Sequence, residues 1–203
     1  DGRRATNYGD IVAVCDVDTS HSAYAKAAYT RRMAMPGREV KIDVYDDYRA
    51  IIDRSDIDAI ICGTVDHWHV KISAEALKSG KDVYCEKPLT LTVDEGRIIS
   101  KVAQETDRIL QVGTQQRSDP RFLQAVAIAH SGRLGKIKKV TVGLNHNPFS
   151  KPLPTVAPPK TLNWERWKGP TEDVPYRLLK NGKDGQTLVR TLGDGSIDAS
   201  NCH

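Results

Sequence analysis

Residues 58–88 constrain the fold more than any other stretch. They read Asp58-Ala-Ile-Ile-Cys-Gly-Thr-Val-Asp-His-Trp-His69, then a helix-periodic segment, then Asp82-Val-Tyr-Cys-Glu-Lys-Pro88. The order is strand, polar loop, helix, second strand, and a charged pair held against a proline. The run Ala59-Ile-Ile-Cys62 is short and apolar, as a strand covered on both faces requires. It stops at Gly63-Thr64. Ligands of open parallel sheets bind beyond the carboxyl ends of the strands. Residues 64–69 and the Glu86-Lys87-Pro88 cluster both fall at such ends and are expected to face one site.

The flanking chain extends the alternation. Residues 11–16 form an apolar run ending in Asp16, and Thr19 or Ser20 is placed to cap a helix reaching Met33. Pro36-Gly37 breaks that helix, and residues 40–44 alternate as a short strand. Asp46-Asp47 can cap a helix that turns Tyr48, Ile51 and Ile52 inward. The helix after His69 runs to Lys78 and ends at Gly80. Thr92-Val-Asp-Glu95 is a capping-box sequence opening a helix to Thr106. Residues 109–112 make another strand, followed by the loop Gly113-Thr-Gln-Gln-Arg117. Strands and helices joined by short connections predict a doubly wound parallel sheet.

The pattern changes after Arg117. Asp119-Pro120 opens a helix to His130, Gly132 and Gly135 end it, and residues 136–144 alternate like a strand of an antiparallel sheet with one wet face. Residues 147–159 hold five prolines and predict an irregular excursion. Trp164 and Trp167, three apart, are spaced to share a helical face. Residues 181–201 are rich in Gly, Asp and Ser and poor in core-forming side chains. Two units are therefore expected, residues 1–117 and residues 118–203.

Composition narrows the function. Hydrophobic residues make up 39% and charged residues 28%, which permits a packed core. The net charge of +4 is spread along the chain, and its densest patch, residues 136–139, is interleaved as a solvated strand face would be, so no nucleic-acid partner is expected. The four cysteines form no Cys-x-x-Cys pair, and three of them sit in or at the ends of predicted strands, where free cysteine packs as a small apolar side chain. No apolar run is long enough to span a membrane. Asp66, His67 and His69 lack a distant third ligand, so no metal site is expected.

A dinucleotide fold should open with a strand and a Gly-x-Gly-x-x-Gly turn, and no such turn occurs here. Residues 11–16 instead look like the second strand of such a fold, ending in an acid placed for a ribose hydroxyl. The chain is thus expected to be a fragment whose first strand, glycine loop and helix lie upstream.

These residues together resemble a known family. Thr64-Val-Asp-His-Trp-His69, then Cys85-Glu-Lys-Pro-Leu89, is similar to the Gfo/Idh/MocA oxidoreductases, relatives of glucose–fructose oxidoreductase and inositol dehydrogenase. The family pattern is Thr-Pro-x-x-x-His, Ala-x-x-x-Gly-Lys-x-Val, then Glu-Lys-Pro. Ala76, Gly80, Lys81 and Val83 match it, and Val65 replaces the usual proline. The run Val112-Gly-Thr-Gln-Gln-Arg117 resembles the family's domain junction, and Trp164-x-x-Trp167-x-Gly-Pro170 a subgroup of its dehydrogenases.

The resemblance implies a partial NAD(P)-binding Rossmann domain, lacking its first strand and glycine loop, then the start of an α/β substrate domain whose open sheet often mediates oligomerisation. It implies a homo-oligomeric parent, a sugar or cyclitol substrate, and hydride transfer at a CH–OH group. Asp16 would take the adenosine ribose, favouring NAD over NADP. Gly63, Thr64, His69, Glu86, Pro88 and Gln115 would line the cofactor. Lys87 would share that lining and be the catalytic lysine. The chemistry is coherent, because an ammonium near the reacting oxygen stabilises developing alkoxide charge and can relay its proton. A cis bond at Pro88 would aim Lys87 into the cleft. The plain alternative for Glu86 and Lys87 is a surface ion pair, worth little. The family's second catalytic pair, Asp-x-x-x-His on a helix, is not found after Tyr176. Two other functions stay open: an NAD-dependent glycoside hydrolase of the same fold, and a non-catalytic fragment. Compartment is undetermined, cytoplasmic by default, and a twin-arginine export signal is known among relatives.

Overall fold

The computed structural model describes residues 6–143 and 153–177. The elements in order are β1 (Ala13–Cys15), α1 (Thr19–Met33), β2 (Asp43–Tyr45), α2 (Arg49–Ile52), β3 (Ala59–Cys62), α3 (His69–Lys78), β4 (Asp82–Glu86), α4 (Val93–Thr106), β5 (Leu110–Gly113), α5 (Pro120–His130) and α6 (Trp164–Lys168). All strand pairs are parallel. This is the mixed α/β architecture of a partial Rossmann fold, with each crossover helix returning the chain to start the next parallel strand.

The sheet is not continuous. β1 pairs with β2, and β3, β4 and β5 form a separate sheet in that order. In the doubly wound order the strand preceding β1 lies between β1 and β3. Among the described residues none pairs there, so each of those two strands keeps one free edge.

Local chemistry sets the helix ends. Asp18, one residue earlier than expected, caps α1. Its carboxylate accepts both the Ser20 N–H at 2.9 Å and the Ser20 hydroxyl at 2.6 Å, so the serine serves the aspartate rather than the helix. Asp47 accepts the Arg49 N–H at the start of α2. The capping box of α4 is reciprocal, Glu95 N–H to Thr92 Oγ1 at 3.3 Å and Thr92 N–H to Glu95 Oε2 at 3.0 Å. Asp119 caps α5, with Pro120 in its first turn. Gly80 takes a left-handed φ of +79° just after α3, a conformation that glycine adopts without Cβ strain.

The core lies on one face of the β3–β4–β5 sheet. Cys62, Val83 and Cys85 point into it, and Val70, Leu77, Ile99 and Val102 of α3 and α4 cover them. The opposite face is not covered as the apolar run predicts. Along β3, Ala59 and Ile61 are exposed, Ile61 to 42%. β3 is therefore buried on one side only. Lys81 is buried, and its Nζ donates to the carbonyls of Arg54 (2.5 Å) and Ile57 (2.8 Å). It satisfies the backbone leading from α2 into β3, which gives this residue of the motif a structural task.

Residues 136–143 are not a strand. Val140 and Val142 are exposed, and no partner strand adjoins them among the described residues. Alternation supplies a face, but a strand also needs a neighbour to take its N–H and C=O groups. Leu144, residues 147–152 of the proline-rich stretch and the tail after Arg177 lie outside the described residues, and residues 153–159 form no helix or strand, as their prolines predict. The tryptophan pair behaves as its spacing predicts: Trp164 and Trp167 stack at 4.7 Å on α6. No described helix is long and apolar enough to cross a membrane.

Candidate functional site: the carboxyl ends of the parallel strands

The loop after β3 and the loop after β4 meet at His69. Its ring is 1% exposed, with Nδ1 2.8 Å from the Pro88 carbonyl and Nε2 3.0 Å from the Thr64 carbonyl. Carbonyls only accept, so the ring is the donor in any hydrogen bond made here. The imidazole thus ties the two polar clusters, as their shared position at strand ends predicts. With both nitrogens so engaged, its influence on a ligand runs through Thr64 and Pro88. The Lys87–Pro88 peptide is cis. Gly63, Thr64 and Lys87 are exposed at these ends.

Val65, in place of the motif's proline, has φ −74° and ψ 153° and is buried. That φ lies where a proline ring would fix it. The backbone keeps its path into the 3₁₀ turn Asp66–Trp68, and the departure costs the loop no geometry.

A second group forms around Glu86. Its Oε1 accepts the Gln115 Nε2 amide at 2.7 Å, and the same nitrogen lies 3.3 Å from the Tyr84 hydroxyl. Gly113, the register partner of Glu86 on β5, sits beneath. A Cβ there would meet Glu86 Oε2 at 3.0 Å and both Gln115 Nε2 and Tyr84 Oη at 3.1 Å. Burial works to raise the Glu86 carboxyl, yet the group is held below its ordinary range, with hydrogen bonds from the Gln115 amide and the Lys87 backbone N–H among the interactions that lower it. Among the described residues Glu86 and Lys87 form no ion pair with each other.

Asp16 stands apart, at the end of β1. Its Oδ1 accepts the Asp18 N–H at 2.8 Å, and its Oδ2 lies 3.6 Å from His21 Nδ1. Beside it the chain after the proline-rich stretch crosses over. Thr19 N–H donates to the Thr161 carbonyl and Asn163 N–H to the Val17 carbonyl, both at 2.9 Å. The same segment reaches the β3 loop: Trp68 Nε1 donates to the Arg166 and Trp167 carbonyls at 3.0 and 3.1 Å, and His67 Nε2 lies 2.8 Å from the Trp167 carbonyl. Gly169, at φ +53°, packs so closely that a Cβ would fall 2.2 Å from the Trp68 ring. Arg166 pairs with Asp46 at 2.9 Å.

Sequence reasoning therefore brought together Thr64, His69 and Pro88, and separately Glu86 and Gln115. It missed Tyr84, Gly113 and the crossing segment 161–169. Tyr84 was findable, since it lies two residues before Glu86 and shares its face. Gly113 and the crossing segment depend on strand register and long-range docking, which no local pattern carries.

The residues suit the ribose ends of a dinucleotide. Asp16 and Glu86 are carboxylates at strand ends, where hydroxyl donors would be accepted, and the close approach over Gly113 leaves no room for a side chain.

Comparison with known proteins gives the family. Residues 2–114 match the model of the Gfo/Idh/MocA oxidoreductase family, described as having an NAD-binding Rossmann fold. The inositol 2-dehydrogenase of Klebsiella pneumoniae subsp. pneumoniae is 35% identical over 127 residues, 62% of this chain and 35% of that protein. The scyllo-inositol 2-dehydrogenase (NAD(+)) of Bacillus subtilis is 33% identical over 106 residues, 52% of this chain and 31% of that protein. The chain thus spans about a third of the length of these relatives. The crystal structure of myo-inositol 2-dehydrogenase from Lactobacillus plantarum superposes with a TM-score of 0.55 at 29% identity, covering 66% of this chain and 39% of that one. The expected cofactor, NAD, is the one the family's fold is described as binding. By the family match over more than half its length, the chain belongs to the Gfo/Idh/MocA oxidoreductases.

Proposed function

We propose that this chain is part of an NAD-dependent dehydrogenase that oxidises a CH–OH group of a cyclitol or related sugar, with residues 1–117 serving the cofactor and residues 118–203 beginning the substrate domain. The observation carrying the reading is the His69 bridge between Thr64 and Pro88. It fixes the β3 loop against the peptide that follows Lys87 and leaves that lysine exposed at a strand end. The relatives named inositol dehydrogenases point to the cyclitol class.

NAD, when bound, supplies the hydride acceptor. Asp16 accepts from the adenosine ribose, and its charge disfavours a 2′-phosphate there, hence NAD over NADP. Glu86, held anionic by Gln115, accepts from the ribose nearer the reacting carbon. Gly63, Thr64 and Pro88 shape the wall. The Lys87 ammonium stands at the substrate oxygen, stabilises the alkoxide charge that grows as hydride leaves, and relays the proton outward. A homo-oligomeric parent accords with this reading.

The test is net NAD reduction by the parent protein across a panel of inositols and sugars, with Lys87→Met alongside. Turnover should fall by about 10²-fold or more in the variant, while NAD affinity holds within a few fold. Turnover of a glycoside with no net NAD reduction would instead indicate the hydrolase chemistry.

A further inference from the structure

Cys62 and Cys85 are register partners on the adjacent parallel strands β3 and β4. Both point to the helix-covered face and are 2% and 0% exposed. Neighbouring strands lie about 4.8 Å apart, within the roughly 4.4–6.8 Å Cα separation that a disulfide spans. Cys62 Sγ lies 3.7 Å from the Thr64 hydroxyl, and the Cys85 thiol donates to the Glu86 carbonyl at 3.5 Å.

The pair is also asymmetric. The neighbouring Cys85 thiol, then Thr64 and the nearby His69 ring, hold the Cys62 thiol down against its burial. The Cys85 thiol is raised by its Cys62 neighbour and by burial. Cys62 is thus the better nucleophile. Gly63 and Thr64, directly above it, are exposed, so a small reagent has only that loop to pass. Cys15 makes a contrast: burial and the Asp16 carboxylate push its thiol up to about 12.

We propose that Cys62 and Cys85 are a reversible dithiol–disulfide pair oxidised by a small hydroperoxide, with Cys62 as the attacking sulfur. The Cys62 thiolate attacks a peroxide oxygen, the O–O bond breaks, and Cys62 becomes a sulfenic acid as the leaving oxygen takes up a proton. The Cys85 sulfur then attacks the Cys62 sulfur. The S–O bond breaks, the S–S bond forms, and the departing hydroxide leaves as water with the Cys85 proton. Two thiols lose two electrons and one peroxide gains them. The bond would tie the strand end before Gly63-Thr64 to the one before Glu86-Lys87, so its formation is felt at both loops of the site.

The experiment treats the full chain with hydrogen peroxide, alkylates remaining thiols under denaturing conditions, and weighs the digested peptides. The expected product is a Cys62–Cys85 linked pair, two hydrogens lighter than the reduced peptides and returned to two alkylatable thiols by dithiothreitol. In Cys85→Ser, Cys62 should stop at the sulfenic acid and be trapped by dimedone. In Cys62→Ser, Cys85 should stay alkylatable. Full recovery of both thiols at doses that oxidise Cys15, or linkage of Cys62 to Cys15 or Cys202 instead, overturns the proposal. Should either variant unfold, the wild-type peptide masses still decide. No step of this readout involves NAD, so its outcome is separable from the dehydrogenase reading.

Discussion

Two regions of this chain carry equally clear hydrophobic patterns and meet different fates. In residues 58–113, α3 and α4 close over β3, β4 and β5, and Leu77, Ala76 and Cys85 are almost wholly buried. In residues 119–143, α5 has no buried residue, and Phe122, Leu123 and Val126 of its apolar side are about half exposed. Yet α5 is a helix and residues 136–143 are not a strand. A helix bonds its own backbone, and Asp119 with Pro120 supplies its start. A strand must borrow a neighbour's backbone. A pattern alone therefore suffices to shape a helix, whereas a strand waits for its partner.

The sharpest way to break this contrast is to truncate matched apolar side chains in each region. Leu77 is 1% exposed and packed in the core cluster. Leu77→Ala should cost about 2–5 kcal/mol, since the cavity beneath α3 cannot easily collapse between helix and sheet. Chemical denaturation of the chain measures it, and a loss under 1 kcal/mol would mean that the α3–α4 layer is not the source of stability.

A smaller effect tests whether the first crossover depends on its cap. Burial works to raise the Asp18 carboxyl, but bonds from the Ser20 hydroxyl and N–H and from Thr161 overcome it and lower the group. A carboxyl lowered on folding contributes stability above its unfolded range, near pH 4, and loses it as pH falls through the folded value. Asp18→Ala should therefore cost about 1 kcal/mol near neutrality, with the wild-type and variant curves converging below about pH 4. Parallel curves throughout acid titration would show that charge plays no part in this cap.

Much of the site was legible because its devices are local. The capping box of α4, the Glu86 and Lys87 position at a strand end, and the helical pairing of Trp164 with Trp167 all follow from spacing within a few residues. Val65 shows the limit from the other side: it departs from the motif in residue type, but its φ is the one proline would impose. What stayed hidden depends on contacts across the chain. The cap of α1 lies on Asp18 because Ser20 turns its hydroxyl to that carboxylate. The bare face of β3 depends on which neighbours are present, not on its own four apolar residues. The fit of Gly169 against Trp68 joins positions about a hundred residues apart, and no period in either segment announces it.

The smallest expected effect is the most informative about the second region. Phe122 is 49% exposed, and its truncation removes little that water does not already touch. Phe122→Ala in this chain should change stability by no more than about 0.5 kcal/mol, as surface substitutions do, while its apolar area is larger than that of Leu77. In a chain that carries a partner for the α5 face, the same substitution should rise toward the cost of a core truncation, about 3 kcal/mol or more. Measuring both by denaturation separates intrinsic helix stability from docking. If Phe122→Ala already costs several kcal/mol here, the face is covered in solution and the contrast between the regions fails. If it costs nothing in either setting, the apolar stripe of α5 has no partner within the protein, and its pattern serves something other than the core.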